Sequence, residues 1–192
     1  MRRWITPASV VVVLLMVLAA CGGDSGDGGN DTEAPAAAAP ADYVAGLCTA
    51  ITDYEADLEA QNSSFQEQFS SGTPSPGEAK DAIVAFLDEI RQRTRQLIDD
   101  VEALGTPDVD NGGEVRSALV GTFQQVVDLF DQAKADIEAL PTDDPAAMAA
   151  GFAEIGTKLQ QAGTEIQSSL DGFESPELDE AAAEATACDG VI

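Results

Sequence analysis

From Ala41 onward, apolar side chains recur at steps of three, four or seven residues, and that period confines the chain to helices. Val44, Leu47, Ile51, Tyr54, Leu58, Phe65 and Phe69 predict a first helix, with a fray or bend expected where Gln61 and Asn62 interrupt the stripe. Ser70, Ser71 and Gly72 end it. Ser75-Pro76-Gly77-Glu78 reads as a capping box with proline at the first helical position. It opens a second helix with the stripe Ile83, Phe86, Leu87, Ile90, Leu97, Val101 and Leu104. Gly105 and then Thr106-Pro107 stop that helix and start the next segment. A third helix carries Val115, Leu119, Phe123, Val126, Val127, Phe130, Ile137 and Leu140, and Pro141 ends it. Asp144-Pro145 caps a fourth, with Phe152, Ile155, Leu159, Ile166, Leu170 and Phe173, and Ser175-Pro176 starts a short fifth helix leading to Cys188. No stretch alternates with the period of a strand. The expected fold is all-α: an antiparallel four-helix bundle of two helical hairpins plus a short C-terminal helix, occupying residues 41–192.

An internal echo lies at an offset of 69 residues. It sets Ile83 on Phe152, Phe86 on Ile155, Ile90 on Leu159, Leu97 on Ile166 and Pro107 on Pro176. A duplicated hairpin would produce this register, and so would any two amphipathic helices aligned on their stripes.

The chain starts differently. Arg2 and Arg3 precede an apolar run, Val10–Ala20, of 11 residues. A spanning helix needs about 20, so the run reads as a secretory signal. Arg2-Arg3 fits an ordinary positive leader, and a twin-arginine signal is the alternative. The end of the run, Leu18-Ala19-Ala20-Cys21, resembles the lipobox of bacterial lipoproteins. That resemblance implies cleavage before Cys21 and a diacylglyceryl group on its thiol, with the protein held at the extracytoplasmic face of the cell membrane. Residues 1–20 are then signal peptide. Residues 21–40 are the lipidated cysteine and a Gly-, Asp-, Ala- and Pro-rich tether with an r.m.s. reach of roughly 25 Å. The chain beyond Cys21 is also similar to small helical, two-cysteine, Ala-, Asp- and Gly-rich lipoproteins of Actinobacteria. That likeness rests on composition and architecture and carries no binding residues with it.

Charge excludes several partners. Of nine basic residues two lie in the leader, and 35 acids do not, so the chain beyond residue 20 has a net charge of −28. Such a surface repels phosphate backbones and anionic headgroups, which argues against nucleic acid and against polybasic docking on lipid. Membrane attachment therefore has to come from acyl chains. With Cys21 lipidated, Cys48 and Cys188 remain as an even pair in an exported chain, where a disulfide is the expected state and two buried free thiols the alternative.

Candidate chemistry is sparse. The chain has no histidine, and Lys80, Lys134 and Lys158 sit in no Ser-x-x-Lys, so a nucleophile lacks its usual base. Asp108-Val109-Asp110-Asn111-Gly112-Gly113 begins like a calcium loop, but position 12 is Leu119 and turn chemistry is the simpler reading. No metal ligand set and no cofactor are expected. Arg91, Arg93 and Arg95 form the one positive patch, suited to an anionic ligand or an acidic partner unless Asp88, Glu89 and Asp99 neutralise it. Gly151, Gly156 and Gly163 thin the fourth helix at about 1 kcal/mol each against alanine. Either the helices approach closely there or a small apolar cavity opens, bordered by Phe86, Phe123, Phe130 and Ile155, with Thr94, the equivalent of Gly163 at the 69-residue offset, thinning the second helix at the same height. The expectation is a non-enzymatic interaction module at the cell envelope, binding a membrane protein or wall component. A carrier of a small apolar ligand beside the fourth helix is the alternative.

Overall fold

The computed structural model describes residues 37–70, 72, 74–170 and 175–188, the side chains of 167–170 excepted. The leader, Cys21, residues 22–36 of the tether and Phe173 lie outside the described residues. Five helices follow one another: α1 (Pro40–Ser70), α2 (Pro76–Ala103), α3 (Gly112–Glu138), α4 (Pro145–Leu170) and α5 (Pro176–Glu184), with a 3-10 turn at Thr186–Cys188. Among the described residues no helix is long and apolar enough to cross a membrane.

Most boundaries follow from side-chain chemistry. The Ser75 hydroxyl accepts from the Glu78 amide at 3.4 Å, while the Ser75 amide donates to the Glu78 carboxylate at 2.8 Å. This closes the capping box and satisfies two orphan donors. Asp144 accepts from the amides of Ala146 and Ala147, both at 3.0 Å, and so caps α4. At the other end of a helix, the Lys80 ammonium donates to the carbonyls of Glu138 and Leu140 at 3.1 and 3.2 Å, placing a cation on the negative end of α3.

Three expectations need correction. Helix α1 runs unbroken for 31 residues through Gln61 and Asn62. Neither is a helix breaker of the Gly or Pro kind, and Asn62 accepts from Gln66 one turn on, at 3.4 Å. Thr106-Pro107 does not start α3, whose first residue is Gly112 after Asn111 in the left-handed region, φ 62°. Instead the Thr106 carbonyl accepts from the Ala38 amide at 2.8 Å, and the Asp108 amide donates to the Ala38 carbonyl at 2.7 Å. Pro107, between them, is fully buried. A Cβ on Gly112 would run into the Pro107 carbonyl, so that position requires glycine. Ala38, inside the segment read as tether, is therefore tied to the α2–α3 connection. Ser175 holds the N-cap position of α5 but makes no side-chain cap; its hydroxyl meets the Glu177 carboxylate at 3.2 Å.

The helices pack in chain order, α1 on α2, α2 on α3 and α3 on α4, with α5 and the 3-10 turn on α1. This is the antiparallel four-helix bundle with its short C-terminal helix. Its core lies in three apolar clusters from one end to the other. At the basal end Tyr43, Val44 and Cys48 of α1 meet Val115, Leu178 and Cys188. Midway Leu97, Ile98 and Val101 of α2 meet Phe123 and Val127 of α3, with Ile51 and Tyr54 against them. At the distal end Leu87, Ala133, Ile137 and Ile155 close α2, α3 and α4 together. Among the described residues α1 and α4 form no fourth seam comparable to the other three.

Candidate functional site

The arginine trio is neutralised by the fold. Arg91 donates to Asp131 across the α2–α3 seam and pairs with Asp88 at 3.0 Å on its own helix. Arg93 reaches Asp57 of α1 at 3.0 Å, and Arg95 reaches Asp131 at 3.5 Å. Of the three acids expected to balance them only Asp88 does so; the others come from neighbouring helices. The same holds for the remaining cations. Lys134 of α3 donates to both oxygens of Asp88, at 2.8 and 2.6 Å, and Lys158 of α4 to Asp136 of α3 at 3.0 Å. Arg116 of α3 lies 3.9 Å from Glu102 of α2. With Lys80 at the end of α3, every basic residue beyond the leader reaches across to a neighbouring helix. The bond from Lys158, and then that from Gln132, holds the Asp136 carboxyl below its ordinary range, and Asp136 in turn raises Lys158. The positive patch is thus a set of crosslinks between helices that carry far more acid than base.

The residues read as a cavity wall fall in separate places. Phe123 belongs to the middle cluster, Phe130 and Ile155 to the distal one. Phe86 packs on Phe65 of α1, ring centres 4.6 Å apart. Thr94 is fully enclosed and hydrogen-bonded: its hydroxyl donates to the Ile90 carbonyl at 2.9 Å and accepts from the Tyr54 hydroxyl at 3.0 Å. Thr94 has one proton to give, so Tyr54 must be the donor between them. Burial pushes the Tyr54 phenol up, only partly offset by that bond. The glycines of α4 divide. A Cβ on Gly151 would strike the side chain of Leu140 in the α3–α4 connection, whereas a Cβ on Gly156 or Gly163 would meet nothing within 4 Å.

No family model, curated protein or solved structure matches this chain. Its chemistry is therefore read from its own residues.

The cysteines are where the sequence placed them. Cys48 in α1 and Cys188 in the 3-10 turn form a disulfide, Cα to Cα 5.1 Å, across a separation of 140 residues. Both are buried, and the bridge clamps the C-terminal segment onto the basal cluster. Close by, the Tyr43 hydroxyl is enclosed without a hydrogen-bond partner among the described residues; burial raises its pKa against the opposing pull of Arg116. The calcium-like run from Asp108 to Gly113 forms the α2–α3 connection and the first turn of α3. Among the described residues no group of three or more His, Cys, Asp or Glu side chains is placed to hold a metal.

Sequence reasoning missed the latch on Ala38 and the distal face of α1. Ala and Pro carry no periodic signal, so Ala38 had nothing to mark it. On α1 the apolar stripe runs on through Leu58, Phe65 and Phe69, which are only half-buried, and a stripe does not reveal how far it is covered.

Proposed function

We propose that this chain is a lipid-anchored extracytoplasmic module that binds another component of the cell envelope and catalyses no reaction. One observation carries the reading: the small-small-Cys ending of a short apolar leader, Leu18-Ala19-Ala20-Cys21. Acylation there would seat the protein on the outer face of the membrane through its lipid alone, because a net charge of −28 offers anionic headgroups nothing to hold. A disulfide-clamped fold suits an oxidising compartment. The latch on Ala38 fixes where the tether leaves the bundle. The anchor-bearing segment before it would then join the bundle at the basal end.

Two features favour an interaction surface over a catalytic or carrier site. The chain has no histidine, and its few cations are consumed in crosslinks between helices. The side chains proposed to enclose an apolar ligand are instead packed into different clusters or hydrogen-bonded.

Chemical crosslinking in intact cells, followed by purification under denaturing conditions, tests the reading. A protein or wall fragment joined to the chain in defined stoichiometry is expected. No adduct, together with one equivalent of lipid extracted from natively purified protein, would replace the module by a carrier.

A further inference from the structure

The peptide group between Asn111 and Gly112 is pinned from both sides. Its N–H donates to the Val109 carbonyl at 3.1 Å, and its carbonyl accepts from the Glu114 and Val115 amides at 2.8 and 3.0 Å. Asn111 sits at φ 62°, ψ 15°, exposed, with its side chain capping no amide of α3. A ψ near zero eclipses the Gly112 nitrogen with the Asn111 nitrogen and so turns it away from Cβ. The asparagines of the chain are Asn30, Asn62 and Asn111, and of these Asn111 alone precedes glycine. In such a pair no side chain shields the following nitrogen, which is then able to attack the carboxamide carbon. The attack needs that nitrogen beside Cβ. Rotating ψ of Asn111 to bring it there swings the peptide plane and gives up the three hydrogen bonds that hold it. The same peptide backs the Ala38 latch. Gly112 is seated on the Pro107 carbonyl, and Pro107 lies between the two latch bonds, from Ala38 to Thr106 and from Asp108 to Ala38.

We propose that Asn111 is a modification site gated by this latch: it deamidates when the α2–α3 connection opens, and its isoaspartyl product keeps the latch from re-forming. Opening one connection costs less than unfolding the whole domain, so the reaction follows the loop. The Gly112 nitrogen bonds to Asn111 Cγ and gives up its proton, the Cγ–Nδ2 bond breaks, and ammonia leaves with that proton. Water then opens the cyclic imide. Cleavage at Cγ gives aspartate on an unchanged backbone. Cleavage at the main-chain carbonyl gives isoaspartate, in which the chain runs through Cβ and Cγ and is longer by one carbon. No atom is oxidised or reduced, and water is the only co-reactant. In the isoaspartyl chain the carbonyl that received Glu114 and Val115 has become a free carboxylate. The longer backbone lifts Gly112 from its seat on Pro107, and the latch loses its backing. The proposal rests on the latch alone and stands whether or not Cys21 carries lipid.

Peptide mapping by mass spectrometry, on purified protein incubated at pH 8 and 37 °C, tests it by following asparagine, aspartate and isoaspartate at position 111. A synthetic peptide of residues 106–117 gives the rate without the fold. The folded parent is expected to react at least tenfold more slowly than that peptide. Ala38→Pro removes one latch donor and should speed the folded protein severalfold. Ser75→Ala weakens the fold at the far end of α2 and should leave the rate unchanged. Equal rates for parent and peptide, or for parent and Ala38→Pro, would overturn the gating. So would an equal acceleration by Ser75→Ala, which would assign the reaction to global unfolding. Asn111→Asp carries the charge of the product on an ordinary backbone and serves as its control. Hydrogen exchange at the Ala38 and Asp108 amides should be fast in the isolated isoaspartyl protein and as slow in Asn111→Asp as in the parent. Protection retained in the isoaspartyl protein, or lost equally in Asn111→Asp, would overturn the lengthened backbone as the cause.

Discussion

Thr94 occupies an inward position on α2 where the surrounding stripe is aliphatic, and its hydroxyl is tolerated because both its hydrogen-bonding capacities are used inside the fold. Its value lies in what would be left behind without it. Thr94→Val keeps the shape but strips the half-buried Tyr54 hydroxyl of its acceptor, and the loss is expected to be about 1–3 kcal/mol in urea unfolding. Adding Tyr54→Phe removes the stranded donor as well, so the double variant should recover much of that loss. Additive losses would show that the pair is not coupled. Thr94 was legible in the sequence as a break in the apolar stripe. Its partner was not, because Tyr54 reads simply as one more stripe residue on another helix.

At the scale of the element, the helix starts decide how much of the fold the sequence discloses. Ser75-Pro76-Gly77-Glu78 and Asp144-Pro145 were readable because a cap acts over three or four residues, and the structure forms both. Thr106-Pro107 has the same local look but is captured by a distant partner, Ala38, which no local pattern could announce. Ser75→Ala is expected to cost about 1 kcal/mol. The partner Glu78 adds a pH dependence. Its hydrogen bonds from Ser75 hold its pKa below the ordinary 4.5. The folded state therefore favours the carboxylate, and its contribution is complete above 4.5 and fades as the pH falls through the lowered value. Glu78→Ala should melt below the parent at pH 7, with the gap closing under acid conditions. A gap that persists unchanged at pH 2.5 would rule out the carboxylate as its source.

Across the whole molecule, two long-range ties hold the basal end, the Ala38 latch and the Cys48–Cys188 bridge. The bridge was legible from an even cysteine pair together with the up-and-down order of the helices. The lack of an α1–α4 seam among the described residues was not, because stripe periodicity reports that a face is apolar and not what packs on it. Serine at both cysteines should cost about 2–5 kcal/mol and release α5 from α1. Reductant should lower the parent's stability by a similar amount and leave the double serine variant unchanged. Equal stability of parent and variant would contradict an intact bridge.

The claim that organises the rest is attachment through Cys21, and intact mass of the protein recovered from the membrane fraction of its native cells tests it most directly. A chain beginning at Cys21 and carrying the mass of a diacylglyceryl group is expected, with Cys21→Ala yielding an unlipidated precursor. Native protein found in the cytosol with residues 1–20 still attached would contradict the account.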